Sequence, residues 1–425
     1  MNSKVGTWKT RVILIVIGLL VMALIVPTAL AQDPKGQPTP VRFATFNASL
    51  NRNDAGQVIS DLSSPGNVQA QTVAEIIQRT RPEVLLINEF DYDDQGGPND
   101  SLAAQLFQEN YLSISQNGAD PIEYTYRFVA PSNTGIPSGF DLDNNGSVGG
   151  PNDAFGFGFF PGQFGMAVFS MHPIDYDHVR TFQTFLWKDI PGALLPDDPN
   201  TPEPADWYSP EELDIFRLSS KSHWDVPVVI GGKTVHFLTS HPTPPVFDDP
   251  PAFPAGVDFN GRRNFDEIRF WADYIIPSRS GYIYDDDGMF GGLEAGALFV
   301  IAGDQNSDPF DGDSIPGSAQ LLLEHPLVNT RVTPSSEGAV EQAELQGGAN
   351  ETHIGDPAFD TADFNDVAPG NLRADYVLPR KNLYIVDAGV FWPLSTDPLF
   401  RLVGTFPFPS SDHRLVWVDV RLPSY

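Results

Sequence analysis

Cysteine is absent from the 425 residues. Disulfides and lipid attachment at a thiol are therefore excluded, so stability must come from a buried core and, where present, bound metal ions. Basic residues are scarce: 25 Lys and Arg stand against 55 Asp and Glu, a formal charge of −30. That balance excludes a broad basic track for nucleic acid. It leaves an anionic substrate open, because a bound divalent cation reverses the local field. A membrane-length apolar run is missing too. The longest run, Val12 to Val26, has 15 residues, short of the roughly twenty a span needs.

That run has Lys4, Lys9 and Arg11 before it and Ala29-Leu30-Ala31 after it. The pattern is that of a secretory signal over residues 1–31, with an uncleaved N-terminal anchor as the alternative. Export without stable membrane insertion after cleavage is the expectation. A Pro-rich joint over 32–40 leads into one domain over 41–425; there is no internal repeat. Hydrophobic residues at 41% supply a sizeable core, and 37 Gly with 39 Pro imply long, turn-rich connections.

The most orderly stretch is Ala297-Leu298-Phe299-Val300-Ile301-Ala302, a buried strand closed by Gly303 and followed by Asp304 and Asn306. Other strands end in the same way. Val41 to Phe46 alternates and stops at Asn47; Val84 to Ile87 stops before Glu89; Thr234 to Thr239, the second arm of a hairpin with Val226 to Ile230, runs into Ser240-His241. Phe164 to Ser170 and Ala374 to Leu378 read as strands, the latter containing Asp375. The last strand, Arg414 to Leu422, follows Asp412-His413 and sets Val416, Val418, Val420 and Leu422 on one face. Helical spacing marks Val73, Ile76 and Ile77, ending near Arg81 before Pro82, and a stripe of Phe265, Ile268, Trp271, Ala272, Ile275 and Ile276 stopped by Pro277. Ala319 to Leu323 is expected helical, Asp189 to Glu212 a surface loop, and Glu337 to Asn371 irregular. Asp141, Asp143 and Asn145 have the spacing of a calcium loop, although Asn152 occupies its twelfth position.

Singly, these polar residues have ordinary explanations: a turn cap for Asn47 or Asp412, an exposed carboxylate for Glu89, a hydrogen-bonded histidine for His241, a backbone brace for Asp375. Their order is more telling. Thr45-Phe46-Asn47, Ile87-Asn88-Glu89, Thr239-Ser240-His241, Gly303-Asp304-Gln305-Asn306, Arg373-Ala374-Asp375-Tyr376 and Ser411-Asp412-His413 follow one another across nearly the whole chain. In this the sequence resembles the endonuclease/exonuclease/phosphatase superfamily, to which pancreatic-type deoxyribonuclease and abasic-site endonucleases are similar.

The resemblance implies an α/β, four-layer sandwich of two packed mixed β-sheets flanked by helices, the DNase-I-like fold. It implies a phosphoesterase using Mg²⁺ or Mn²⁺, with Glu89 as chief ligand and Asn47 and Asp412 nearby. It gives Asp304 the attacking water, Asn306 the phosphate or that water, and His413, steadied by Asp375, a phosphoryl oxygen or a proton. His241 would bind phosphate or assist the leaving group. Three departures loosen the substrate more than the chemistry: Asn88 where the family often has Gln, Ser240 and Pro242 around His241, and Met171-His172 after the central strand.

Lys221, Arg262, Arg263 and Arg373 are the candidate phosphate contacts in loops that are otherwise acidic and rich in Pro and Phe. The expected substrate is a small phosphoester, nucleotide or short oligonucleotide rather than long duplex DNA, acted on by a monomer. An extracellular nuclease for DNA or RNA is the rival. A non-catalytic protein holding structural Ca²⁺ at the Asp141 loop is a more distant one.

Overall fold

The computed structural model describes residues 39–248 and 253–423. The signal reading and most of the Pro-rich joint fall outside them. Pro38–Tyr425 forms one compact unit.

In chain order the elements begin with β1 (Val41–Leu50), α1 (Gln57–Leu62), α2 (Val68–Thr80), β2 (Val84–Phe90), α3 (Leu102–Phe107), β3 (Tyr126–Phe128) and β4 (Met166–Ser170). The middle holds β5 (Arg180–Thr181), α4 (Pro210–Leu213), β6 (His223–Ile230), β7 (Lys233–Ser240), α5 (Phe259–Tyr274) and β8 (Leu298–Asp304). The last part has α6 (Gln320–Leu323), α7 (Glu337–Gln346), β9 (Ala362–Asp363), β10 (Asn371–Leu372), β11 (Asp375–Pro379), β12 (Tyr384–Val390) and β13 (Val416–Arg421).

Two mixed sheets result. One has the order β12-β13-β1-β2-β4-β3, the other β11-β8-β7-β6-β5. Each is antiparallel except for one central parallel pair, β1 with β2 and β7 with β8. Side-chain alternation separates three cores. Phe43, Leu86, Val226, Phe237, Val300, Val416 and Val418 fill the space between the sheets. Ala44, Phe46, Leu85 and Ile87 turn outward onto α2, and Leu238, Phe299 and Ile301 turn outward onto α5. The four-layer α/β sandwich is therefore present.

Local signals explain the helix ends. Asn67 caps α2 by accepting from Ala70 N, and Arg81 ends it at φ 54 with its N–H on Ile77 O, just before Pro82. Helix α5 begins earlier than its apolar stripe and buries Asn264, Asp266 and Glu267 besides Ile268 and Trp271.

Two sequence expectations are corrected, and one strand was not anticipated. Residues 337–346 form α7 rather than irregular chain: Ser336 caps it, yet the helix buries only Gly338, Ala339 and Gln342, so no apolar stripe marks it. The stretch from Asp189 to Glu212 is not mere surface loop, because Trp207 and Tyr208 are buried in the third core. Strand β12 escapes notice because it is an edge strand with exposed Tyr384 and Val386. Among the described residues no helix is long and apolar enough to cross a membrane.

Phe237 is fully buried between the sheets, 5.7 Å from the Phe43 ring. Phe237→Ala is expected to cost about 3–5 kcal/mol in urea denaturation; a loss under about 1 kcal/mol would mean that the inter-sheet space collapses freely.

Candidate active site

The site lies where the sheets meet, along one edge. Parallel pairing brings the C-terminal ends of β1 and β2, and of β7 and β8, to that edge. Antiparallel pairing adds the start of β11, where Asp375 sits opposite Asp304, and the residues before β13. Asn47, Glu89, His241, Asp304, Asn306, Asp375 and Asp412-His413 are thereby gathered.

Backbone irregularity aims several of them. In β1 the pairing with β2 shifts register between Asn47 and Leu50, a bulge that re-aims the strand end. Glu89 and Asn306 both adopt the left-handed region, φ 56 and φ 50, which is costly for residues with a Cβ. Gly303 is required by contact: at φ 150, an added Cβ would lie 2.0 Å from Ser240 O.

Asn47 Nδ2 donates to Glu89 Oε1 (3.1 Å) and to Asp304 Oδ2 (3.0 Å), while its Oδ1 accepts from Ser49 N (3.3 Å). The amide nitrogen, not the oxygen, faces the carboxylates. Asn47 is thus a bridge between the two carboxylates, and its Oδ1 keeps a second lone pair that the Ser49 bond does not use. Asn88 is a second bridge. It accepts from Thr45 Oγ1 (3.1 Å) and Asp304 N (3.3 Å), and donates to Ser240 O (3.3 Å).

Asp304 is almost wholly buried, with His241 Nε2 at 3.4 Å and His413 Nε2 at 3.6 Å from its Oδ2. Burial pushes its carboxyl up, but His413, His241 and Asn47 outweigh burial and hold it well below the usual carboxylate range. Its Oδ1 accepts from Asn306 N (2.8 Å), and Asn306 Nδ2 donates to Pro242 O (3.1 Å). The histidines diverge. Burial and Lys221 push His241 down to about 4. Burial also opposes charge on His413, yet Asp375 and Asp304 raise it well above the ordinary value. His413 Nδ1 is 2.8 Å from Asp375 Oδ2, and burial lifts Asp375 to about 6.

Burial, then Asp412, raise the carboxyl of Glu89. Two carboxylates crowded in this way are a fitting donor set for a hard divalent cation, which takes oxygen ligands. Asp304, Asp375 and His413 also bring one ligand atom each within 4.8 Å. An imidazolium offers no lone pair, however, so His413 between its two carboxylates reads as a hydrogen-bonded relay rather than a metal cage.

The four basic candidates part company. Lys221 is 7% exposed and close enough to Glu267, Glu89 and Asp304 to interact electrostatically with them; burial pushes its ammonium down. Arg263 is corrected as a phosphate contact: it is buried, donates to the carbonyls of Leu218, Phe155 and Arg217, and covers the Phe216 ring. Arg373 lies over the Tyr376 ring, half-buried. Arg262 is half-buried on α5, its Nε without a hydrogen-bond partner.

Sequence reading missed the polar face of α5. Glu267 accepts from Ser220 N and Thr243 N, both at 2.6 Å; Asn264 Nδ2 donates to Thr243 O (2.8 Å) and Gln305 O (2.9 Å). These bonds fix the segments carrying Lys221, His241 and Asn306. The available signal was two polar residues on the buried side of an amphipathic helix.

The calcium-like loop is rearranged relative to expectation. Asp153, one place beyond Asn152, joins Asp141 and Asp143, each giving an oxygen within 4.8 Å of the others. Asn145 Oδ1 instead accepts from Ser147 N (2.9 Å), so Asn145 turns back into its own loop.

The family model for the Endonuclease/Exonuclease/phosphatase family matches residues 44–413. No curated protein matches the chain. Similar solved structures include an endonuclease/exonuclease/phosphatase from Beutenbergia cavernae DSM 12333, with TM-score 0.48 and 18% identity over 91% of this chain and 72% of that one. Another is sphingomyelinase C from Streptomyces griseocarneus, with TM-score 0.40 and 14% identity over 90% and 99%. A third is a 3'-5' exonuclease from Neisseria meningitidis, with TM-score 0.41 and 15% identity over 90% and 100%. The family assignment rests on the family model.

Beyond Asn306, burial and the carboxylates of Asp308, Asp311 and Asp356 push Asp360 up to about 8. The folded state keeps that proton while the unfolded chain, with an Asp value of about 4, has lost it. Stability therefore falls as pH rises from about 4 through 8. Asp360→Asn is expected to raise the thermal midpoint at pH 8 by on the order of 2 °C, the gap closing towards pH 4; equal midpoints at pH 8 would contradict this.

Proposed function

Since the chain belongs to the endonuclease/exonuclease/phosphatase family, we propose that it is an exported, divalent-metal-dependent phosphoesterase that hydrolyses its substrate by in-line attack of water. The observation that carries this reading is the junction of Asp304, His241, His413 and Asp375 with Glu89 at one edge of the sandwich. The export part rests on Lys4, Lys9, Arg11 and the apolar run that follows them.

Glu89 and Asp412 would hold Mg²⁺ or Mn²⁺, with Asn47 keeping Glu89 in place. The cation supplies neutralisation of the charge on the phosphoryl oxygens. The protein's own groups do the rest. Asp304 stays ionised; it orients the water and takes its proton as the new P–O bond forms and the ester P–O bond opposite it breaks, the departing alkoxide taking a proton from solvent. Asn306 fixes Asp304 through its backbone N–H. His413, held as imidazolium by Asp375, presents Nε2–H to a phosphoryl oxygen. His241 stays neutral beside Asp304, and Lys221 lies close enough to Glu89 and Asp304 to interact electrostatically with both. Environments that drive two histidines apart in this way are how one site assigns separate protonation states at neutral pH.

The substrate we favour is a small phosphoester or short oligonucleotide. Support comes from where the basic groups point. Arg263 is engaged by backbone carbonyls, Arg52 by Asp61 and Arg127 by Asp100, so they are not set out along a phosphate track.

Hydrolysis across a panel of nucleotides, DNA, RNA, sugar phosphates and phospholipid head groups should require metal and stop with EDTA. Asp304→Ala and His413→Ala should each lower kcat by about 100-fold or more; unchanged rates would remove the site. Plasmid DNA cleaved as fast as small phosphodiesters at low salt would reverse the substrate reading. With metal saturating, kcat should fall by no more than about twofold from pH 8 to 6, because Asp304 stays ionised and Asp375, lifted to about 6, is half protonated only at the lower end. A fall of about fourfold over that range would instead mark a histidine of ordinary pKa, about 6.5, as the base. Glu89→Gln should raise the thermal midpoint in EDTA by relieving carboxylate crowding, and lose the increment that Mg²⁺ gives the parent protein.

A further inference from the structure

Three consecutive residues absent from every motif above, Thr361, Ala362 and Asp363, are built onto the site. They pair with Asp412, His413 and Arg414. Arg414 N donates to Thr361 O (2.7 Å), Asp363 N to Asp412 O (2.8 Å), and Ala362 bridges His413. A fully buried ion pair closes this staple: Arg414 Nη2 to Asp363 Oδ2, 2.9 Å. Arg414 Nη1 also donates to Ser411 O (2.9 Å) and His413 O (3.2 Å).

Thr361 is 1% exposed, and its hydroxyl reaches in the opposite direction, towards β11. Oγ1 accepts from Ala374 N and Asp375 N, both at 3.0 Å. With both lone pairs engaged, its proton is left for Asp375 Oδ2 at 2.8 Å. That same oxygen takes the His413 Nδ1 proton at 2.8 Å, whereas Asp375 Oδ1 is buried with no hydrogen-bond partner. A carboxylate left to itself would turn to share two donors between two oxygens. Here both donors converge on the one oxygen.

We propose that Thr361 is a positioning residue for this site: anchored to the His413 segment by its backbone and to β11 by its hydroxyl, it holds Asp375 Oδ2 on the His413 Nδ1 proton. Imidazole and carboxylate arrive from separate parts of the chain, and Thr361 is bonded to Arg414, the neighbour of His413, and to Asp375 itself. The proposal deepens the phosphoesterase reading and rests on it for its kinetic consequence only.

Two measurements test it. In the parent protein, proton NMR should show a low-field His413 Nδ1 resonance and an exchange-protected Thr361 hydroxyl with a cross-peak between them; absence of that cross-peak overturns the proposal. Thr361→Ser should keep the resonance and stay within about threefold of the parent kcat. Thr361→Val, or Thr361→Ala should the valine variant not fold, should shift the resonance or lose it to exchange and lower kcat about tenfold with little change in KM. A folded valine or alanine variant with the parent resonance and kcat would leave Thr361 a merely structural residue. Failure of the phosphoester panel would strike the function instead, and the NMR result would still decide the positioning.

Discussion

Two carboxamides hold the site across the gap between the sheets. Asn47 belongs to β1 and Asn88 to β2, yet each bonds to Asp304 of the facing sheet, one through the side-chain oxygen and the other through the backbone N–H. Asn88 also reaches Ser240 O, directly before His241. The apolar filling between the sheets sets their spacing but tolerates sliding; directional hydrogen bonds do not. Relative position at the edge is therefore decided by three polar contacts in a buried setting, where an unmade bond is costly. The electrostatic division between the two histidines depends on this registration, because both lie within 3.6 Å of the same Asp304 oxygen.

Much of this was legible in the chain. Strict alternation in Val41 to Phe46 and in Arg414 to Leu422 assigns each residue to the inner or outer core. Gly303 and Pro82 mark where a strand and a helix stop. Site residues at strand ends are recognisable by being polar where the pattern breaks, and their order across the chain made the family resemblance specific.

What was not legible depends on distant partners. Nothing local shows that Arg263 is internal, since its acceptors are backbone carbonyls from three other positions. Helix α7 lacks an apolar stripe and β12 lies at a sheet edge, so periodicity is silent for both. Thr361 looks like any loop threonine until β11 and the Asp412 segment are folded against it. The orientation of the Asn47 amide is likewise set by Glu89 and Asp304 rather than by its neighbours in sequence.

The register of β11 on β8 has a consequence for how such a chain can diversify. Asp304 and Asp375 face each other directly, although about seventy residues intervene, and those residues include α6, α7, β9 and β10. Closing a flexible loop costs entropy that grows only with the logarithm of its length, about 0.6 kcal/mol for each doubling. Outside Asn306 and the Thr361–Asp363 segment, the stretch between the two facing residues can therefore lengthen greatly while the ladder beneath stays in step. The loops beside the site are thereby free to change in length and composition at small thermodynamic expense, with Asp304 and Asp375 left in place on their strands.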